Sequence, residues 1–85
     1  MNRELQDYYE ERFSMMATKG WKDLMEDIEL MLDSTDTISG VDTEQQLWFR
    51  KGEISIMTWL KNLKESSTEV YEQLQKEEDN AETDI

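Results

Sequence analysis

The stretch Leu5–Leu32, LQDYYEERFSMMATKGWKDLMEDIELML, decides the fold. From Leu5, apolar side chains return at Tyr9, Phe13, Met16, Leu24, Ile28 and Met31, with Gly20 at the one small position of the series. Steps of three and four residues keep such a series on one side of an α-helix. A flanking row, Ala17, Trp21, Met25 and Leu32, widens that side beyond a narrow seam. Strand alternation fails, because Met15 and Met16, or Leu24 and Met25, would point to opposite faces of a sheet. The spacing predicts one helix over about residues 3–33.

Downstream, STDTISGVD (residues 34–42) ends the pattern. Its Ser, Thr and Asp side chains compete for backbone hydrogen bonds, and Gly40 permits a positive φ. Asp42 or Thr43 then caps a second helix: Thr43 and Gln46 have capping-box spacing, and Glu44 sits where the helix dipole favours an acid. This helix carries Phe49, Ile56, Leu60, Leu63, Val70 and Leu74 on one stripe, with Gly52 and Ser67 as its small positions. Ser66-Ser67-Thr68 is its weak point, yet the stripe stays in phase across it, so one helix is expected over about residues 43–78. The expected fold is all-α: a hairpin of two long antiparallel helices over residues 1–78, a loop over about 34–42, and a disordered acidic tail over 79–85. Counting outward from the loop places Gly20 near Ile56 and Gly52 near Leu24, where small residues would let the backbones approach.

Eighty-five residues leave room for one small core. There is no cysteine, histidine or proline. Disulfides, thiolate chemistry and Cys/His zinc sites are thereby excluded, as are imidazole bases and ligands. No GxSxG elbow or phosphate-cradling glycine loop is present. The paired carboxylates Glu10-Glu11, Glu26-Asp27 and Glu77-Glu78 are expected to stay hydrated and ionised on helix surfaces. The chain is therefore expected to be no enzyme and to need no cofactor or metal. Asp33 to Glu44 has the outline of an EF-hand loop, but Thr35 and Thr37 replace the usual ligands and Ile38 stands where the turn needs glycine. No apolar run suffices for a membrane span or a signal peptide, so a soluble chain, not secreted by a signal peptide, is expected.

Nine basic against twenty-one acidic residues give a net charge of −12, unevenly spread. Residues 47–64 carry Arg50, Lys51, Lys61 and Lys64 against Glu53 alone, beside Trp48, Phe49 and Trp59. Cations interleaved with aromatics can grip nucleic acid, but the field of the whole chain repels a polyanion, so direct nucleic-acid binding is disfavoured. One hairpin interface cannot cover every large apolar residue, and uncovered patches mark contact surfaces. The expected contact set is Tyr8, Trp21, Met25, Trp48, Arg50, Lys51, Trp59 and Tyr71, facing another protein or a second copy of the chain.

The run YYEERFSMMATKGWKDLMEDIELML, followed by LWFRKGEISIMTWLKNL, resembles small acidic helical-hairpin proteins encoded by tailed bacteriophages. The likeness covers roughly residues 5–64 and rests on packing positions: Phe13, Gly20, Trp21, Leu24, Phe49, Gly52, Trp59 and Leu60. It implies a virion- or packaging-associated component, found in the virion or the host cytoplasm, and carries over no active site. Two functions follow as expectations. The first is a structural or assembly role, docking through the apolar-aromatic face onto a virion component or onto itself. The second is a host-takeover inhibitor whose carboxylates, including Asp7, Glu11, Asp23, Glu26 and Asp27, mimic phosphates on a host nucleic-acid enzyme.

Overall fold

The computed structural model describes residues 1–83. The all-α class holds, but the described residues form four helices where two were expected: α1 (Arg3–Met16), α2 (Lys19–Thr35), α3 (Glu44–Lys61) and α4 (Leu63–Thr83). Each arm of the expected hairpin is interrupted once. Helix α4 continues through Thr83, so residues 79–83 of the expected disordered tail are helical; residues 84 and 85 lie outside the described residues.

Both interruptions have local causes. At the end of α1 the Ala17 N–H is shared between the carbonyls of Phe13 (3.1 Å) and Ser14 (3.3 Å). The Thr18 N–H and hydroxyl both donate to the Met15 carbonyl, at 3.2 and 2.7 Å. A turn tightened in this way, with a hydroxyl competing for the carbonyl, closes a helix. The second break is at Asn62, whose backbone leaves the helix at φ −93°, ψ 4°; asparagine is a weak helix former. Ser66–Thr68, the expected weak point, does not break. The hydroxyls of Ser66 and Thr68 fold back onto the carbonyls of Leu63 (3.2 Å) and Lys64 (2.8 Å), and the helix runs on.

Caps set the other ends. Asn2 accepts the Leu5 N–H at 2.7 Å. Thr43 is the N-cap of α3 with both halves of the capping box: the Gln46 N–H donates to its hydroxyl at 3.1 Å, and the Gln46 side chain accepts the Thr43 N–H at 3.2 Å. In the α2–α3 loop, Gly40 has φ +80°, a conformation that only glycine adopts without strain.

Where the length allowed for one core, the chain divides into two compact units. The first comprises Met1–Thr18 and the chain from Leu63 onward; the second is Lys19–Asn62. In the first, α1 pairs with α4. Its contacts join early residues to late ones, as an antiparallel pair must: the Met1 ammonium meets Glu78 at 2.6 Å, and Arg12 donates to Ser67 Oγ at 3.1 Å. The Tyr71 ring meets those of Tyr9 and Phe13 edge-on, with centroids 6.0 and 5.6 Å apart. Met16 and Ser67, whose hydroxyl is hydrogen-bonded, are the buried residues of this unit among those described.

In the second unit α2 pairs with α3, also antiparallel, and Lys61 reaches Glu29 at 3.2 Å. Ile28, 8% exposed, is its one buried residue among those described. Trp21, Met25 and Leu32 share the less exposed side of α2, while Gly20, Leu24 and Met31 are exposed. The inward row of α2 thus combines Ile28 of the expected stripe with Trp21, Met25 and Leu32, the residues expected to flank it. The helix restarts at Lys19, so the phase counted from Leu5 does not carry through.

Candidate protein-contact face

Helix α3 has two apolar sides. Arg50, Ile54, Met57 and Leu60 are half-buried. Ile54 and Ile56 are two positions apart, which is about 200° around a helix. The opposite side therefore carries Phe49, Gly52, Ile56 and Trp59, with Trp48 alongside. These residues are open: Trp48 is 61% exposed, Phe49 73%, Ile56 67% and Trp59 59%. Together Trp48, Phe49, Gly52, Glu53, Ile56 and Met57 line a shallow groove of about 570 Å³. A Cβ built on Gly52 meets no atom within 4 Å. This corrects the expectation that Gly20 and Gly52 lie in the helix seam opposite Ile56 and Leu24: a Cβ on Gly20 also meets nothing, and both aliphatics are exposed.

One edge of the face is organised. The Lys51 ammonium lies 4.8 Å from the centre of the Trp48 ring, and the Trp48 indole N–H points to Glu44 at 3.5 Å. A cation over an indole face is attracted by the ring quadrupole and restricts its rotamer. The indole is thus tethered at the surface while remaining 61% exposed.

The other expected contact residues go elsewhere. Arg50 points away from the face and donates to the carbonyls of Thr37 (2.7 Å) and Ser39 (2.9 Å), clamping the α2–α3 loop onto α3. Trp21 and Met25 lie half-buried in the inward row of α2. Tyr8 is in the first unit, where its hydroxyl accepts from Arg12, whose guanidinium also lies 4.7 Å from its ring centre. Tyr71 belongs to the ring cluster of the first unit. Of the eight, Trp48, Lys51 and Trp59 share the α3 face or its edge. Phe49, Gly52 and Ile56 were read as packing positions and are instead its centre. The signal that could have found them is a pair of overlapping repeats on α3, residues 50, 54 and 57 on one side and 49, 52, 56 and 59 on the other.

Among the described residues no group of three or more carboxylates is placed to hold a metal ion. No helix there is long and apolar enough to cross a membrane. No protein family, curated protein or solved structure matches this chain.

Proposed function

We propose that this chain is a non-enzymatic docking protein whose work is done by the outer face of α3, in a structural or assembly role of the virion kind. The observation that supports the reading is the row Phe49, Gly52, Ile56 and Trp59: uncharged, with three large exposed side chains around an open glycine, on the side of α3 turned away from Ile54. A helix with a single partner needs one apolar side. Isolated exposed apolar residues are common, but a contiguous aromatic-aliphatic row rimmed by polar groups marks a contact surface. The virion setting comes from the likeness to phage-encoded helical proteins.

The phosphate-mimic reading finds less support. It needs carboxylates at regular intervals along one rod, and Asp7 and Glu11 lie in α1 while Asp23, Glu26 and Asp27 lie in α2, across the break at Ala17. Asp23 is also paired with Lys19 at 2.7 Å.

The test is incorporation into particles. Purified phage particles are expected to contain the wild-type chain and the Leu30→Glu variant, which alters an exposed residue of α2, and to lack Ile56→Glu. Particles devoid of the wild-type chain would end the virion reading. Equal incorporation of Ile56→Glu would remove the α3 face from it.

A further inference from the structure

We infer that the occupant of the outer α3 face is a second copy of this chain, set antiparallel across a two-fold axis so that two α2–α3 pairs meet through their third helices. The inference rests on the docking reading above and names its partner.

Three observations carry it. The first is the order of sizes along the row. Phe49, Gly52, Ile56 and Trp59 follow one another at steps of three, four and three, the spacing of a coiled-coil seam. Reversed about its midpoint, this row maps Phe49 onto Trp59 and Gly52 onto Ile56. Each copy then offers a glycine notch where the other offers a branched side chain, and an aromatic ring where the other offers an aromatic ring. The notch is free to be filled, since nothing lies within 4 Å of a Cβ at Gly52. An isologous contact requires such a self-complementary patch.

The second is charge. Two copies of a chain carrying −12 repel one another over most of their surfaces. Helix α3 is the exception among the four: it holds Arg50, Lys51 and Lys61 against Glu44 and Glu53. Its outer row has no charge at all. Contact here is the least opposed approach between copies.

The third is area. With about 150–250 Å² in each aromatic side chain, the exposed parts of Trp48, Phe49, Ile56 and Trp59 supply on the order of 500 Å² per copy, or about 1,000 Å² for the pair. Specific interfaces begin at about 1,000–1,200 Å² in total, and Gln45 and the rim add to the sum. The row therefore reaches the lower bound for a dimer without help from elsewhere in the chain. Its two-fold pairing also brings Glu53 of each copy to the same rim, which predicts a dimer that tightens as salt screens the pair.

Sedimentation equilibrium of the full chain, from about 1 to 500 μM, tests this together with acrylamide quenching of the tryptophans. The expected result is a reversible dimer of twice the 10.2 kDa chain mass, with a dissociation constant on the order of 10 μM, tighter at 0.5 M than at 0.05 M salt. Ile56→Glu and Phe49→Glu are expected to weaken it at least tenfold while keeping the helical circular dichroism of dilute wild type. Leu30→Glu is expected to leave it unchanged, and Glu53→Gln to tighten it at low salt. A monomer at every concentration, with quenchable indoles, would overturn the second copy as occupant and leave the docking reading to another partner. A monomer whose indoles are all shielded from quencher would overturn both. A dimer indifferent to Ile56→Glu and Phe49→Glu would overturn the assignment to this face.

Discussion

The two units solve the same problem with different amounts of apolar material. In the α1/α4 unit, Tyr9, Phe13 and Tyr71 turn their rings on one another, Met16 is buried, and a single cation, Arg12, links Tyr8 to Ser67. In the α2/α3 unit the inward sides supply Ile28, Trp21, Met25, Ile54 and Met57, and α3 then presents a second row facing away. A helix pair can hide one side of each helix, so α3 carries a surplus that folding of its own unit does not use.

The strongest way to break this contrast is to place the same substitution on the two sides. Ile28→Glu puts a carboxylate where the side chain is 8% exposed. An unpaired buried charge is worth several kcal/mol, enough to unfold so small a unit. Ile56→Glu, at 67% exposure, is expected to cost under about 0.5 kcal/mol in the dilute chain. Thermal melts by circular dichroism at low micromolar concentration separate the two outcomes. Similar losses at both positions would mean that Ile56 belongs to a core after all.

A second substitution probes the other unit, and the chain supplies its own reporters. All three tyrosines, Tyr8, Tyr9 and Tyr71, lie in the α1/α4 unit, and all three tryptophans, Trp21, Trp48 and Trp59, lie in the α2/α3 unit. Tyr71→Ala removes two edge-on ring contacts and the area they bury, for an expected loss of about 2–3 kcal/mol. The tyrosine near-ultraviolet signal should then melt well before the tryptophan emission shifts. A single coincident transition in the variant would show that the two units unfold as one.

Arg50→Ala sharpens the difference between the two sides of α3. Its guanidinium holds the loop carbonyls of Thr37 and Ser39, and hydrogen bonds from a charged donor contribute about 1.5–3 kcal/mol. The expected result is a lower melting temperature and faster amide exchange in residues 37–42, with self-association unchanged when compared below the melting transition. Loss of association without loss of stability would return Arg50 to the contact set.

What the sequence disclosed follows from the range of each interaction. The helical class, the stop at residues 34–42, the capping box of Thr43 and Gln46, and the positive φ of Gly40 all depend on neighbours within four residues, and each is readable from spacing and residue type. The interruptions at Ala17–Thr18 and Asn62 were not legible. The apolar repeat steps across both in threes and fours, and what ends α1 is one threonine hydroxyl turning back on Met15. That small slip had a consequence for α2, because it turned Leu24 and Met31 outward and brought Trp21, Met25 and Leu32 inward beside Ile28. On α3 the difficulty was different. Two apolar repeats coexist, and periodicity shows that each is a face without showing which of them α2 covers. Trp48, Lys51 and Trp59 were legible as an exposed aromatic and cationic cluster because aromatics and cations alternate there. The role of Arg50 was not, since it depends on where loop carbonyls come to rest.

Thr43→Ala tests the local end of this scale. It removes the acceptor for the Gln46 N–H and leaves the Gln46 side chain as the only half of the box. The expected cost is about 1 kcal/mol, borne by the α2/α3 unit and read from the tryptophan melt. Smaller still is Lys61→Ala. Its pair with Glu29 spans the unit at 3.2 Å, but both side chains are about half exposed, and such pairs contribute about 0–1 kcal/mol that salt screens away. The loss is expected to vanish at 0.5 M salt. Were it to persist there, the aliphatic stem of Lys61 would be contributing by contact, and its position beside the inward row of Ile54 and Met57 would extend the core of this unit by one more turn toward Asn62. The outer row would be untouched by either result, because Lys61 and Trp59 are two positions apart and face opposite sides of α3.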